Sequence, residues 1–166
     1  MKLNKIISLI KKSTSITLFK DEVSGRILIS NGAAAYDVSC FPNIETEDEL
    51  AAVLGIDKVD DHVFSIRDIP EIMYDPQITN ALTLCKIEIR YSGKDYVFFE
   101  DDESIYAVDK AYLKPFDEED LFYVSVSEKG TLILVGGLVM QGFICPLNIN
   151  DELKFELAKV VKKVML

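Results

Sequence analysis

The sequence predicts an α+β protein: antiparallel sheets with helices packed on one side, built from two related halves. Three observations carry this. Residues 25–44, GRILISNGAAAYDVSCFPNI, match residues 130–149, GTLILVGGLVMQGFICPLNI, at a constant offset of 105. Residues 83–90, TLCKIEIR, alternate apolar and polar as a half-buried strand does. Lysine-bearing stretches with apolar residues at helical spacing stand near both ends of the chain.

The helix predicted over residues 2–13 buries Leu3, Ile6, Ile7 and Ile10 and leaves Lys2, Lys5 and Lys12 on the other side. Strands follow at 16–19, 26–30 and 33–39. Asn31-Gly32 and, in the second copy, Gly136-Gly137 read as two-residue turns, since a type I′ hairpin needs positive φ at both central positions. Pro42 and Pro146 lie just past the second strand of each copy, where a missing amide donor helps to end pairing. Thr46 and Glu49 form a capping box for a helix running to Leu54, and Gly55 is placed to stop it. Beyond it the sequence suggests a strand at Val63–Ile66, a helical turn from Pro70 to Tyr74 and a turn at Asp75-Pro76.

Ser92-Gly93 turns the chain from the strand at 83–90 into another at 94–100. A strand at 104–108 leads into a short helix bearing Lys110 and Lys114, ended by Pro115. Strands at 121–127, 131–135 and 138–146 complete the second copy. A last helix, capped at Asn150 or Asp151, would bury Leu153, Leu157, Val160, Val161 and Val164 and expose Lys159, Lys162 and Lys163. Six identities relate residues 3–44 to 108–149, with the elements in the same order, so duplication is the expectation. The division would be a first helix-plus-strands unit over 1–55 and a larger one over 56–166, or one continuous domain.

A net charge of −10 over 166 residues repels nucleic acid and anionic membranes on average, so any such contact needs a local basic patch. Three cysteines, Cys40, Cys85 and Cys145, lie too far apart for a zinc knuckle and are odd in number, which suits buried thiols in a reducing compartment. The apolar run Ile6–Ile10 is too short for a signal peptide, and no stretch is long enough to span a membrane, so a cytoplasmic location is expected.

Chemistry is sparse. His62 is the single histidine, which rules out multi-histidine metal sites. Ser92-Gly93-Lys94 lacks the glycine-rich loop of a phosphate cradle. Asp101–Glu103 and Asp117–Asp120 lack calcium-loop spacing and read as solvated turns. The expectation is a non-catalytic protein with neither metal nor cofactor. An enzyme whose site is assembled from dispersed carboxylates is the weaker possibility.

The lysines concentrate in helical stretches and the acids in turns, a pattern expected of any solvated helix but also of a charge-separated molecule. Together with the repeat this resembles the DNA sliding clamp, the processivity factor of replicative polymerases. Ile105–Leu113, IYAVDKAYL, resembles the strand-to-helix entry with a Tyr-Leu pair in the last domain of bacterial clamps. Phe143–Leu147, FICPL, resembles the strand there that ends in a hydrophobic-Pro-hydrophobic motif, and residues 25–44 resemble the equivalent hairpin of another domain.

The resemblance implies sequence-independent contact with double-stranded DNA through Lys2, Lys5, Lys12, Lys110, Lys114, Lys159, Lys162 and Lys163. It also implies a groove at Phe143, Cys145 and Leu147 for short peptides of polymerases and other partners. A chain of this length would ring a duplex only as an oligomer. The alternative is an acidic interaction module, a small regulator or inhibitor that binds a basic partner through Asp101–Glu103 and Asp117–Asp120 and leaves DNA alone.

Overall fold

A computed structural model describes residues 1–137 and 139–149. The final helix expected from Asn150 or Asp151, with Lys159, Lys162 and Lys163, lies outside the described residues. The structure is α+β. One ten-stranded sheet is antiparallel except for a single parallel pair. Its strands in chain order are β1 (Ser15–Asp21), β2 (Arg26–Ser30), β3 (Ala34–Asp37), β4 (Val63–Asp68), β5 (Asn80–Tyr91), β6 (Lys94–Glu100), β7 (Ile105–Asp109), β8 (Leu121–Ser127), β9 (Gly130–Gly136) and β10 (Met140–Ile144). Their spatial order is β4-β1-β2-β3-β10-β9-β8-β5-β6-β7.

That order is a pair of meanders placed back to back. From the central β3–β10 seam, β2 and β9 come next, then β1 and β8, so the second run mirrors the first. The pairing register repeats at the same offset but the facing is inverted, since Leu18 and Ile29 look to one side of the sheet and Tyr123 and Leu134, 105 residues on, to the other. Thr17 opposes Ser30, and Phe122 opposes Val135, each 105 residues on. The ungapped offset fails at the next strand. Tyr36 opposes Ile29, whereas the residue opposite Leu134 is Phe143, so β10 is displaced by two residues relative to β3. By facing, Ala35 rather than Val38 is the counterpart of Phe143, since both lie on the side of the sheet opposite Tyr36, and the match of Cys40 with Cys145 is one of sequence only.

The turns explain the displacement. Asn31 opens a tight turn in which Gly32 alone has left-handed φ, +87°, while the Asn31 carboxamide accepts from the amides of Ala33 and Ala34. Neither Gly136 nor Gly137 has positive φ. A β-carbon on Gly136 would run into the Val139 carbonyl, so this glycine serves close approach in a longer turn with a bulge. The I′-like hairpin is instead Ser92-Gly93, with φ of +50° and +78°. Gly142 also permits close approach: a β-carbon there would lie 2.6 Å from the Ala35 carbonyl oxygen and 2.8 Å from the Phe116 ring, across the seam.

Helix α1 (Leu3–Ile10) buries Ile6 and Ile10 completely but leaves Leu3 at the rim. Helix α2 (Glu47–Leu54) carries the full capping box of Thr46 and Glu49 and ends at left-handed Gly55. Both helices pack on the main core, with Leu18, Ile29, Tyr36, Val124, Ile133 and Ile144 from the meanders. Tyr36, fully buried, donates to the Tyr112 carbonyl at 3.0 Å and lies against Phe116. It thereby links the first meander to the 3-10 turn Lys110–Leu113, which stands where a short helix was expected.

The one-turn helix α3 (Glu71–Tyr74) lies on the other face. With Ile69 it packs over Leu28, Ala35, Leu132, Leu134 and Phe143, so helices cover both sides of the sheet, the longer two on one. Residues 63–68, which a division at 55/56 assigns to the second unit, pair with β1, and the main core runs through both meanders.

Candidate functional site

Strand β5 is long enough to serve two partners. Its first three residues pair with β8, and from Thr83 on it pairs with β6, with an irregularity between Leu84 and Glu88. The β5–β6–β7 end thus has two faces of its own. Period-2 alternation sends Val97, Phe99 and Val108 into the main core. The opposite, outer face holds Cys85, Phe98, Ile105 and Ala107, flanked by Ile87 and Tyr96.

Pairing in β10 ends at Ile144. The chain then crosses the end of the sheet. The Cys145 amide donates to Ala33, and the Leu147 amide donates to Ala107 of β7, each at 2.8 Å. Pro146, with no amide hydrogen, marks the change of direction. The crossing closes one side of an apolar cleft of about 490 Å³ whose floor is Ile89, Tyr96, Phe98 and Ala107 and whose rim is Tyr91, Leu147 and Ile149. Leu147 and Tyr91 are largely exposed there. A second, more polar hollow lies on the other side of Leu147, against Ser104, Tyr106 and Thr131.

The three residues expected to form a peptide groove do not converge. Phe143 is 1% exposed, sits on the α3 side of the sheet, and has the Arg26 guanidinium 5.5 Å from its ring. Cys145 is half-buried on that same side, where burial pushes its thiol pKa up. Leu147 alone reaches the cleft. The alternation that the sequence shows explains this: residues 143 and 145 must share a face, and the strand ends before 147. Two of the cleft's other residues, Ile89 and Tyr91, continue the apolar spacing by two that begins at Cys85 and Ile87 beside it. Their being left on an outer face was not legible.

The lysines are divided. Lys2 pairs with Asp117 at 3.3 Å, and Lys110 with Glu88 at 2.6 Å. Lys11 lies 3.3 Å from where a Gly55 β-carbon would be, at the C-terminal end of α2, where a cation complements the helix dipole. Lys5, Lys12 and Lys114 are exposed and make no ion pair among the described residues. The Lys2 amide donates to the Pro115 carbonyl at 2.7 Å, so the start of α1 and the 110–113 turn are neighbours. The same helical side also carries Glu47, Asp48 and Glu49 on α2, so it holds both signs of charge.

The acidic runs are partly committed to structure. The Asp101 carboxylate accepts from the Glu103 and Ser104 amides at 2.9 and 2.7 Å, from Asn80 at 3.1 Å and from the Tyr106 hydroxyl at 3.2 Å. Burial alone would raise its pKa, but these donors together hold it below the usual value. Asp117 is held low by the Met1 ammonium and Lys2. Asp120 accepts from the Asp117 amide at 2.8 Å and from Gln141 at 2.7 Å. Asp102, Glu103, Glu118 and Glu119 stay exposed.

His62 points at the Ser13 carbonyl, 2.8 Å away, as a tie between α1 and β4. Among the described residues no three His, Cys, Asp or Glu side chains gather as metal ligands, and no helix is long and apolar enough to cross a membrane. Comparison with protein-family models, with curated proteins and with solved structures finds no match for this chain.

Proposed function

We propose that this protein is a non-catalytic binding module of the clamp-like kind, with paired meanders as scaffold, and that it holds an apolar segment of a partner protein in the cleft beside Leu147. The observation that carries this is the cleft itself. Side chains as large as Tyr91, at the end of β5, and Leu147, on the segment after β10, stand exposed around an apolar floor, which is how interfaces seat aromatic and aliphatic anchors. Panning a random peptide library on the immobilised full chain tests the reading. Enriched peptides should carry two or more apolar anchors and bind Leu147→Asp and Tyr91→Asp at least tenfold more weakly. Peptides indifferent to both substitutions, or no enrichment, would refute it.

Contact with duplex DNA is a second reading, favoured by the adjacency of α1 and the 110–113 turn, which brings Lys5, Lys12 and Lys114 to one side. Three phosphates neutralised would give a log–log salt slope of about −2.7. The charge reversals Lys5→Glu, Lys12→Glu and Lys114→Glu should flatten it, and a slope near zero in the wild type would exclude the contact. If the acidic-module alternative holds, reversing Asp102, Glu103, Glu118 and Glu119 should abolish binding to a basic partner while leaving the enriched peptides bound.

A further inference from the structure

The β8–β9 hairpin and the α3 segment enclose a hollow of about 300 Å³ that shares no lining residue with the cleft beside Leu147. Glu71, Asp75 and Glu128 stand at its mouth, and Lys129 is the one base among the described residues that line it. Lys129 pairs with Glu71, while Asp75 and Glu128 make no ion pair among the described residues. Both partners of the Lys129–Glu71 pair are exposed, 60% and 81%, so the pair is weak and readily exchanged. The mouth is thus negative, with two carboxylates unanswered.

The floor distinguishes this hollow from a solvated acidic rim. Alternation along β8 sends Val124 into the main core and puts Ser125, like Tyr123, on the α3 side. Ser125 lines the hollow and is 2% exposed. Its hydroxyl makes no hydrogen bond among the described residues, and it opens on the hollow rather than being sealed in. A polar group buried this deeply calls for a partner. The frame around it is fixed. Thr79 donates its amide to the Val124 carbonyl at 2.8 Å and accepts from the Val126 amide at 3.3 Å, clasping the strand on either side of Ser125. The Lys129 amide donates to the Ser127 hydroxyl at 3.2 Å, which holds the turn bearing Glu128 and Lys129. Ile72 and Pro76, both half-buried, supply an apolar wall.

The acids do not converge on a point: among the described residues no three of them gather as metal ligands. A guanidinium carries five donors on a planar fork and can serve separated carboxylates and a hydroxyl together. The volume is at the lower end for ligand sites, enough for one long side chain, whose aliphatic stem would lie along Ile72 and Pro76. We propose that this hollow takes an arginine side chain of a partner protein, its guanidinium among Asp75, Glu128 and the Ser125 hydroxyl, and that Lys129 competes for the same acids in the free protein. The site goes beyond the apolar binding role and uses none of the acids at 101–103 and 117–120.

The test titrates the isotope-labelled full chain with the capped peptide Gly-Gly-Arg-Gly-Gly and follows the Ser125 and Lys129 amides by NMR. The same peptide with citrulline, the neutral isostere of arginine, is the control. Saturable shifts are expected with arginine and none with citrulline. Lys129→Gln removes the competing charge and should tighten binding about threefold, the effect of one unit charge at about 6 Å in water. Ser125→Ala leaves the net charge unchanged and should weaken binding about tenfold, the scale of one hydrogen bond to a charged group. No saturable shift, an equal response to citrulline, a Lys129→Gln chain that binds no better, or an unaltered affinity in Ser125→Ala would each overturn the proposal. None of these outcomes bears on whether Leu147→Asp releases a selected peptide.

Discussion

Replacing Phe143 separates a core residue from a binding residue. The ring is 1% exposed and lies among Leu28, Ala35, Leu132 and Leu134. A buried phenylalanine removes roughly 150–200 Å² from water, which at about 25 cal/mol per Å² is about 4–5 kcal/mol. Phe→Ala substitutions in cores cost about 3–5 kcal/mol. Losing the Arg26 guanidinium over the ring adds about 0.5–1 kcal/mol at a partly exposed site. Phe143→Ala should therefore lose about 4 kcal/mol, a large part of the roughly 5–15 kcal/mol that holds a typical domain together. At about 2–4 °C per kcal/mol for a chain of this size, Tm should fall by about 8–16 °C. Urea unfolding followed by far-ultraviolet circular dichroism should show an earlier midpoint with an unchanged slope. Phe143→Leu, which keeps most of the volume, should lose no more than about 1.5 kcal/mol. A Phe143→Ala protein within about 1 kcal/mol of wild type that nevertheless loses a partner would refute the assignment of this residue to the core.

Gly142→Ala should lose about 1–3 kcal/mol by overpacking the seam, whereas Gly137→Ala, whose β-carbon meets nothing, should be near neutral; paired urea melts check this. The thiols should alkylate in the order of their exposure, Cys40 first. Burial pushes the Cys85 thiol up to about 11, so at pH 8 its thiolate is about a hundredfold scarcer than that of an ordinary thiol, and mass-mapped labelling of Cys85 should keep accelerating up to about pH 11. Asp101 has a folded pKa below its unfolded value, so the stability it confers is fully present above about pH 4 and fades as pH falls through the folded value. The stability gap between wild type and Asp101→Asn should thus be constant from pH 5 to 7 and shrink toward pH 3; a gap that widens on acidification would contradict this sign.

Local features were readable where one residue type answers one backbone demand. Thr46, Glu49 and Gly55 bracket α2 in the sequence as they do in the structure. Ser92-Gly93 is a turn in both. The order of elements in the two related stretches also carried through, whereas the mirrored strand order of the sheet was not read from the sequence. What failed was register and facing. A constant offset of 105 could not reveal two added residues at β10, since turn length leaves no mark in an ungapped comparison. Nor could it show that Phe143 and Leu147, four apart, part once the strand stops at Ile144, the first buried beneath α3 and the second exposed at the cleft. One floor residue, Ile89, was visible in the alternation of 83–90, but alternation does not say which face is left open. That depends on β5 leaving β8 for β6 midway, a consequence of its length and of the irregularity after Leu84.

The two meanders meet at β3 and β10 through three residue pairs, Ala34 with Ile144, Ala35 with Phe143 and Tyr36 with Gly142. The joints of β2 with β3 and of β5 with β8 are equally short, three pairs each, whereas β8 and β9 share seven. Tension applied across the sheet would be borne by these short joints, and a rupture at β3–β10 would yield two half-sheets, each with a bare edge of matching width. Such halves are suited to rejoining with their own partner or trading it for one from a neighbouring molecule.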